Sequence, residues 1–314
     1  MQHFTSVYDV ADLKALLAKA QAMKRNPTKF TKLGKGLTLG MIFFNPSLRT
    51  RMSTEKAAIN LGMSVISLDA GMGWKLEFED GLVMNGDKAE HVKEAAAVMS
   101  QYCDVLGVRS FATLTDRERD YQDFVVSKFK QNAKVPVISL EGAILHPLQS
   151  FADWITIEEY KKTPKPKVVL SWAPHPKALP QAVPNSFLEW MRMTEYDLVV
   201  THPRGYELNK RFTDSVHIEY DQNKAFEGAD FIYTKNWSNY FDYGQVTSMD
   251  SSWTVTAEKM ALTNKAKFMH CLPVRRNQIV MDDVIDGADS IVIPQANNRV
   301  WAAMGAIDLI ISQK

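Results

Sequence analysis

Apolar positions along the chain follow two periods. Leu13, Leu16, Leu17 and Ala20 recur at helical spacing within residues 10–24, whereas Met41 to Phe44 form a short unbroken apolar run, the pattern of a buried strand. Asn45-Pro46 ends that run. Ser47 stands where a helix N-cap belongs, and a helical pattern continues to about Gly62. The spacing then predicts a strand over 64–68, a helix over 88–99, a strand over 104–108 ending at Arg109, a polar helix over 116–130 and a strand over 135–140 ending at Glu141. Ala70-Gly-Met-Gly73 loosens the chain into a loop that carries Trp74 and Lys75. Residues 147–161 predict an amphipathic helix, and Lys162-Thr-Pro-Lys-Pro-Lys167 a polar, proline-bearing break. A second series follows: strand 168–172, helix 181–193, strands 196–201 and 216–220, helix 222–227, strand 230–234, helix 256–262, strands 267–270 and 290–293, helix 295–312.

Alternation of strands and helices is the signature of parallel sheets with helical crossovers. The expected fold class is therefore α/β, with two doubly wound parallel-sheet domains joined by helices. The expected domains are residues 1–147 and 148–294, with a C-terminal helix, 295–314, packing back on the first. In such sheets ligands sit beyond the carboxyl ends of strands. Ser47, Arg49, Arg109, Glu141, His146, Lys235 and Cys271 all fall there.

Around Ser47, free backbone N–H groups, the positive end of a helix dipole and the guanidinium groups of Arg49 and Arg51 converge. Together they suit a compact, doubly charged anion such as a phosphate. A capped helix with two solvated arginines is the plain alternative.

Composition narrows the choice of partners. The chain has 314 residues, 46% apolar and 23% charged, with a formal net charge of +1. That balance argues against a general nucleic-acid surface, and no apolar run approaches membrane-spanning length. Two cysteines, Cys103 and Cys271, make no disulfide framework and fit a reducing, cytoplasmic compartment. The N-terminus lacks a basic region followed by an apolar core, so no signal peptide is expected. No Gly-x-Gly-x-x-Gly follows a strand, which sets aside a dinucleotide-dependent dehydrogenase.

Two further motifs carry chemistry. In His146-Pro-Leu-Gln149, the proline fixes the entry of a helix and one turn brings His146 and Gln149 to the same face, where both can bind a carbonyl oxygen. His270-Cys-Leu-Pro273 follows an apolar strand. Cys271 has no local base to make it a nucleophile, and His270 with Cys271 has no second ligand pair, so no metal site is expected.

Ser47-Leu48-Arg49-Thr50-Arg51, His146-Pro-Leu-Gln149 and His270-Cys-Leu-Pro273, in this order and spacing, resemble the signature set of the aspartate/ornithine carbamoyltransferases, over essentially the whole chain. The resemblance implies that Ser47, Leu48, Arg49, Thr50 and Arg51 hold the phosphate of carbamoyl phosphate. It implies that Arg109, His146 and Gln149 hold the carbamoyl group, and that Cys271, Leu272 and Arg299 orient its nitrogen. Thr50, Arg109 and His146 would polarise the carbonyl, and no cofactor or metal would be needed. The Trp74 loop resembles a segment that reaches into a neighbouring subunit's site, implying a homotrimer with shared active sites.

Departures from the family pattern bear on the acceptor. The aspartate branch has His-Pro-Leu-Pro where this chain has His270-Cys-Leu-Pro273. The ornithine branch places an aspartate before Trp-x-Ser-Met-Gly, and here Lys235 precedes Asn236-Trp-Ser-Asn239. A lysine beside a free α-ammonium sets like charges together, at a cost of about 1–4 kcal/mol. An acylated nitrogen removes the conflict and leaves Lys235 to bind a carboxylate. The chain thus resembles the acylornithine branch, which works in arginine biosynthesis.

Acetyl-directed members carry a glutamate and succinyl-directed members a proline where this chain has Ala89, which matches neither but shares the lack of charge; the acetyl-directed members also carry a lysine where it has Gln278. Loss of the glutamate removes a charge that would repel a succinyl carboxylate. N-succinyl-L-ornithine is the expected acceptor, N-acetyl-L-ornithine the alternative, and a non-catalytic carbamoyl phosphate-binding paralogue the reading from another class. The resemblance places Trp74, Ala89, Glu141, His175, Lys235, Cys271, Leu272 and Arg275 around the acylornithine, and Arg276 reads as a surface arginine.

Overall fold

A computed structural model of the chain describes residues 2–70 and 73–312. Gly71 and Met72 of the expected loop, and the last two residues of the expected C-terminal helix, lie outside the described residues. Two units emerge. Unit 1 comprises residues 1–113, 118–148 and 299–314, and unit 2 comprises 114–117 and 149–298. Three of the described helices therefore cross a unit boundary along the chain.

Unit 1 is built on a parallel sheet. Its strands are β1 (Thr38–Phe43), β2 (Ser64–Asp69), β5 (Val105–Arg109) and β6 (Val137–Glu141), in the order β2-β1-β5-β6. The strand pairs β3 (Leu76–Glu77) and β4 (Glu90–His91) make a separate two-stranded ladder. The N-terminal segment extends the main sheet beyond β6: Phe4 N–H donates to Val137 O at 2.9 Å, and Ser139 N–H donates to Phe4 O at 2.9 Å. Leu39, Met41, Ile42 and Phe43 of β1 are buried, as a central strand covered on both faces requires. The edge strand β2 differs, with Ile66 and Leu68 exposed.

The helices of this unit are α1 (Leu13–Arg25), α2 (Arg49–Leu61), α3 (Val92–Tyr102), α4 (Arg117–Tyr121, its first residue in unit 2), α5 (Phe124–Asn132), the start of α6 (Pro147–Tyr160) and, from Arg299 on, the C-terminal helix. Asp12 caps α1 by accepting from Ala15 N–H at 2.9 Å. Gly62 closes α2 at φ 83°, and a Cβ there would lie 2.2 Å from Thr31 O, so only glycine fits. Ala95, Ala96, Phe129 and Val126 of α3 and α5 pack on Ile42, Leu106 and Val108 to form the core.

Three expectations need correction here. The polar helix over 116–130 is two helices, because Asp123 turns the chain at φ 47° between them. The helix expected from residue 88 starts at Val92, since Glu90 and His91 pair with β3. The N-cap position of α2 is Leu48, one residue beyond Ser47.

Unit 2 holds a five-stranded parallel sheet: β7 (Lys167–Trp172), β8 (Asp197–Thr201), β9 (His217–Glu219), β10 (Phe231–Lys235) and β11 (Lys267–Met269), in the order β11-β10-β7-β8-β9. Around it lie α7 (Ala182–Met191), α8 (Lys210–Thr213), α9 (Gln222–Phe226), α10 (Ala257–Met260), α11 (Asp282–Ile285) and the start of α12 (Val292–Ile311). Val169, Ile232, Phe226, Phe268, Val280 and Val284 belong to its core. The strand expected over 290–293 is absent. Ser290 makes a single bridge to Phe268, and α12 begins two residues later.

Candidate active site

In unit 1 the sheet order reverses direction between β1 and β5. Such a switch point opens a crevice at the carboxyl ends of those strands. β1 leads through Asn45–Leu48 into α2, and β5 ends on Arg109. Asn45 Oδ1 accepts from Phe111 N–H at 2.7 Å and ties the two exits together. Ser47 Oγ accepts the N–H of Thr50 at 3.2 Å, so it still satisfies a free donor of the first turn.

Thr50 is the hub of a buried cluster. Its Oγ1 accepts from Arg109 Nη1 at 2.8 Å and from Arg299 Nη2 at 2.7 Å. Arg109 Nη1 also lies 2.9 Å from Glu141 Oε2. His146 Nε2 stands 3.5 Å from the same carboxylate oxygen and 3.4 Å from Arg299 Nη1. Burial, then Arg299 and Arg109, holds the imidazole well below its ordinary value, so His146 is neutral. Burial also lowers the Arg109 guanidinium, with Glu141 opposing and Arg49 assisting.

The other unit 1 residues expected at the site are placed differently. Arg51 turns away from the turn itself: it is paired with Asp69, donates to Ser67 Oγ at 2.6 Å and stacks 4.2 Å from the Phe43 ring. Glu141, expected with the acceptor group, is spent on Arg109 inside the Thr50 cluster. Trp74 and Ala89 are exposed on the segment carrying β3 and β4, where Trp74 Nε1 donates to Glu90 Oε2 at 2.7 Å and Ala89 N–H donates to Lys75 O at 2.9 Å.

Unit 2 has its own switch point, between β7 and β10. Lys235 ends β10, opposite Trp172 at the end of β7, and His175 follows three residues on. Arg275 Nε donates to His175 Nε2 at 2.9 Å. His175 Nδ1 lies 2.8 Å from Lys177 O and 3.1 Å from Lys177 N. Burial, with Lys235, Arg275 and Lys177 nearby, keeps His175 neutral despite the Lys177 carbonyl. Lys235 has no carboxylate partner among the described residues. Two cations and a neutral imidazole thus gather at a strand edge, as binding of a carboxylate requires. The segment after Lys235 is fixed by buried bonds: Trp172 Nε1 to Trp237 O at 3.1 Å, and Gln181 Nε2 to Ser238 O at 2.8 Å.

Sequence reading did not single out the residues that hold Gln149 and the His270–Leu272 turn. Asp153 Oδ1 accepts from Gln149 Nε2 at 2.8 Å and from Gln295 Nε2 at 2.7 Å. Gln295 Oε1 in turn accepts from His270 N–H at 3.0 Å, and His270 Nδ1 accepts from Leu272 N–H at 2.8 Å. All of Gln149, Asp153 and Gln295 are buried. The one available signal was the four-residue spacing of Gln149 and Asp153 on a helix. Leu272, at φ 54°, holds the backbone of this turn in the left-handed region beside Cys271. Arg276 stands apart on the surface, paired with Asp282 and Asp286 at 2.7 Å each. Among the described residues no three His, Cys, Asp or Glu side chains cluster to hold a metal.

Comparison with known sequences now decides the lineage. Residues 2–159 match the profile of the aspartate/ornithine carbamoyltransferase carbamoyl-P binding domain, and residues 180–310 that of the Asp/Orn binding domain. The chain belongs to the aspartate/ornithine carbamoyltransferase family. Within it, the chain is 60% identical to an N-succinylornithine carbamoyltransferase of Bacteroides fragilis over 96% of each chain. It is 58% identical to the protein of the same name from Bacteroides thetaiotaomicron over 99% of each. An N-acetylornithine carbamoyltransferase of Xanthomonas campestris is 36% identical, covering 100% of this chain and 98% of its own. Among solved structures, a glutamate-to-alanine variant of N-acetyl-L-ornithine transcarbamylase, complexed with carbamyl phosphate and N-succinyl-L-norvaline, superposes with a TM-score of 0.93 at 35% identity, covering 99% of this chain and 100% of that one.

Proposed function

We propose that this carbamoyltransferase moves the carbamoyl group of carbamoyl phosphate to the δ-amine of N-succinyl-L-ornithine, giving N-succinyl-L-citrulline and phosphate, a step of arginine biosynthesis. The observation that carries the acceptor is Lys235, a cation without a carboxylate partner among the described residues, placed with Arg275 and His175 at the unit 2 switch point. Two acceptor carboxylates suit that charge; a free α-ammonium does not. Ala89 in place of a glutamate, and the names of the 58–60% identical relatives, support succinyl over acetyl.

In this reading the first turn of α2, with Ser47 to Arg49 and Thr50, receives the phosphate. Thr50, Arg109, Arg299 and neutral His146 meet the carbonyl oxygen, where negative charge grows as the δ-amine attacks the carbamoyl carbon. The C–O bond to phosphate then breaks, and a phosphate oxygen takes the amine proton. Positioning and electrostatics supply the acceleration, with no cofactor. Gln149, with the backbone at Cys271 and Leu272, orients the carbamoyl group.

The protein is read as a cytoplasmic homotrimer whose subunits share active sites. Cys103 and Cys271 are buried and form no disulfide, which fits a reducing compartment. Leu48, Met52 and Ile59 of α2, Ile66 and Leu68 of β2, and Trp74 expose apolar surface of the kind that a second copy covers. The test is a panel assay of carbamoyl phosphate-dependent product formation with ornithine, N-acetylornithine and N-succinylornithine. Preference for the succinyl substrate supports the reading; strong activity on free ornithine overturns it, and preference for the acetyl substrate moves the chain to that branch.

A further inference from the structure

The end of β6 and the loop that leads on to α6 carry Glu141 and His146 into the Thr50 cluster. The loop is closed internally by Gly142 N–H donating to Leu145 O at 2.8 Å. A carboxylate from elsewhere clasps it. Asp123 Oδ1 accepts from Ala143 N–H at 2.7 Å. The fit is close: a Cβ on Gly142 would lie 2.4 Å from each Asp123 carboxylate oxygen, so the glycine leaves room for the acid.

Asp123 occupies the N-cap position of α5, yet its side chain makes no cap bond to that helix. It also holds the left-handed backbone at φ 47°, which costs a non-glycine residue free energy. An aspartate at an N-cap ordinarily accepts from its own helix and stabilises it. Here the carboxylate is directed instead at the loop between Glu141 and His146.

We infer that Asp123 is a positioning residue for carbamoyl transfer: by holding Ala143 N–H against the room left by Gly142, it sets the path along which His146 reaches the Thr50 cluster. The inference rests on the proposed function, because the reaction it serves is carbamoyl transfer. A tether of this kind matters for the reacting geometry more than for ground-state anion binding, since the first turn of α2 lies on a separate segment.

Three variants test it. Asp123→Gly deletes the carboxylate and suits φ 47°, so the turn still forms. Asp123→Asn keeps an Oδ1 acceptor and also tolerates the left-handed region. Asp123→Ala adds a control that lacks both advantages. Expected for Asp123→Gly is a kcat lower by ~10- to 100-fold. Its affinity for inorganic phosphate, by calorimetry, should remain within about threefold, and its His146 ring nitrogen NMR signals should shift. Asp123→Asn should recover most of the lost kcat and the original His146 signals. Unchanged kcat and His146 signals in Asp123→Gly, parallel loss of phosphate affinity, or an Asn variant as impaired as the Gly variant would overturn the inference. If wild-type protein turns over none of the acylornithines, the functional reading fails, while the His146 signals still decide whether Asp123 positions that ring.

Discussion

Arg299 and Thr50 lie 249 residues apart in sequence, yet Arg299 Nη2 donates to Thr50 Oγ1 at 2.7 Å. One hydroxyl thereby joins the first turn of α2 to a helix near the end of the chain. Arg109 donates to the same oxygen at 2.8 Å and lies 2.9 Å from Glu141 Oε2, so two guanidinium groups share one hydroxyl with a carboxylate beside them. Such an arrangement is costly in an empty site and favourable once negative charge develops there.

Arg299→Met should therefore lower kcat by roughly 10²- to 10³-fold, the usual effect of removing a donor to a developing oxyanion. A single-turnover assay of carbamoyl transfer checks it.

Lys235→Ala should raise the KM for the acylornithine by about 10- to 100-fold, the loss of one hydrogen bond to a charged group, worth roughly 1.5–3 kcal/mol. The kcat should change less, since in the proposed reading Lys235 meets a carboxylate of the acceptor and not the carbamoyl group. Steady-state kinetics at saturating carbamoyl phosphate measure the split. An unchanged KM would remove Lys235 from the acceptor site.

Ala89→Glu should cut kcat/KM for N-succinylornithine by at least about fivefold, because a carboxylate facing the succinyl carboxylate costs on the order of 1–4 kcal/mol. N-acetylornithine should be used no worse than before. If both substrates respond equally, the residue acts on packing and not on charge.

Stability should decline on the acid side of neutrality. The ordinary histidine value is 6.5, and burial holds His146 well below it in the folded chain. Between those two values the unfolded chain binds the extra proton, so stability falls as pH drops below 6.5, by about 1.4 kcal/mol per pH unit for each such histidine. His202, lowered chiefly by burial, adds to the same slope. Urea midpoints from about pH 7 down to about pH 5 should show it, and His146→Gln should flatten it.

Much of the fold was legible because it rests on local signals. The apolar run of β1, the helical spacing of α1 and the proline entry of α6 each reflect side-chain period or backbone restriction within a few residues. Where such signals were short or mixed, the reading slipped. Ser290 to Ile293 looked like a strand because its β-branched residues suit either state; contact with Phe268 allowed only one bridge before α12 began. Residues 116–130 looked like one helix because nothing in their period marks the left-handed turn at Asp123.

The sequence by itself determined the family, the strand–turn–helix around Ser47 and the charge at Lys235, since motif, order and residue type carry that information along the chain. Only the tertiary structure decided which groups meet. It put Arg299 and Arg109 on one hydroxyl, assigned Glu141 to that cluster, drew Arg51 to Asp69, and joined Gln149 to Gln295 through Asp153. Those pairings are set by strand order and helix packing, which bring distant segments within hydrogen-bond reach and which no local pattern encodes.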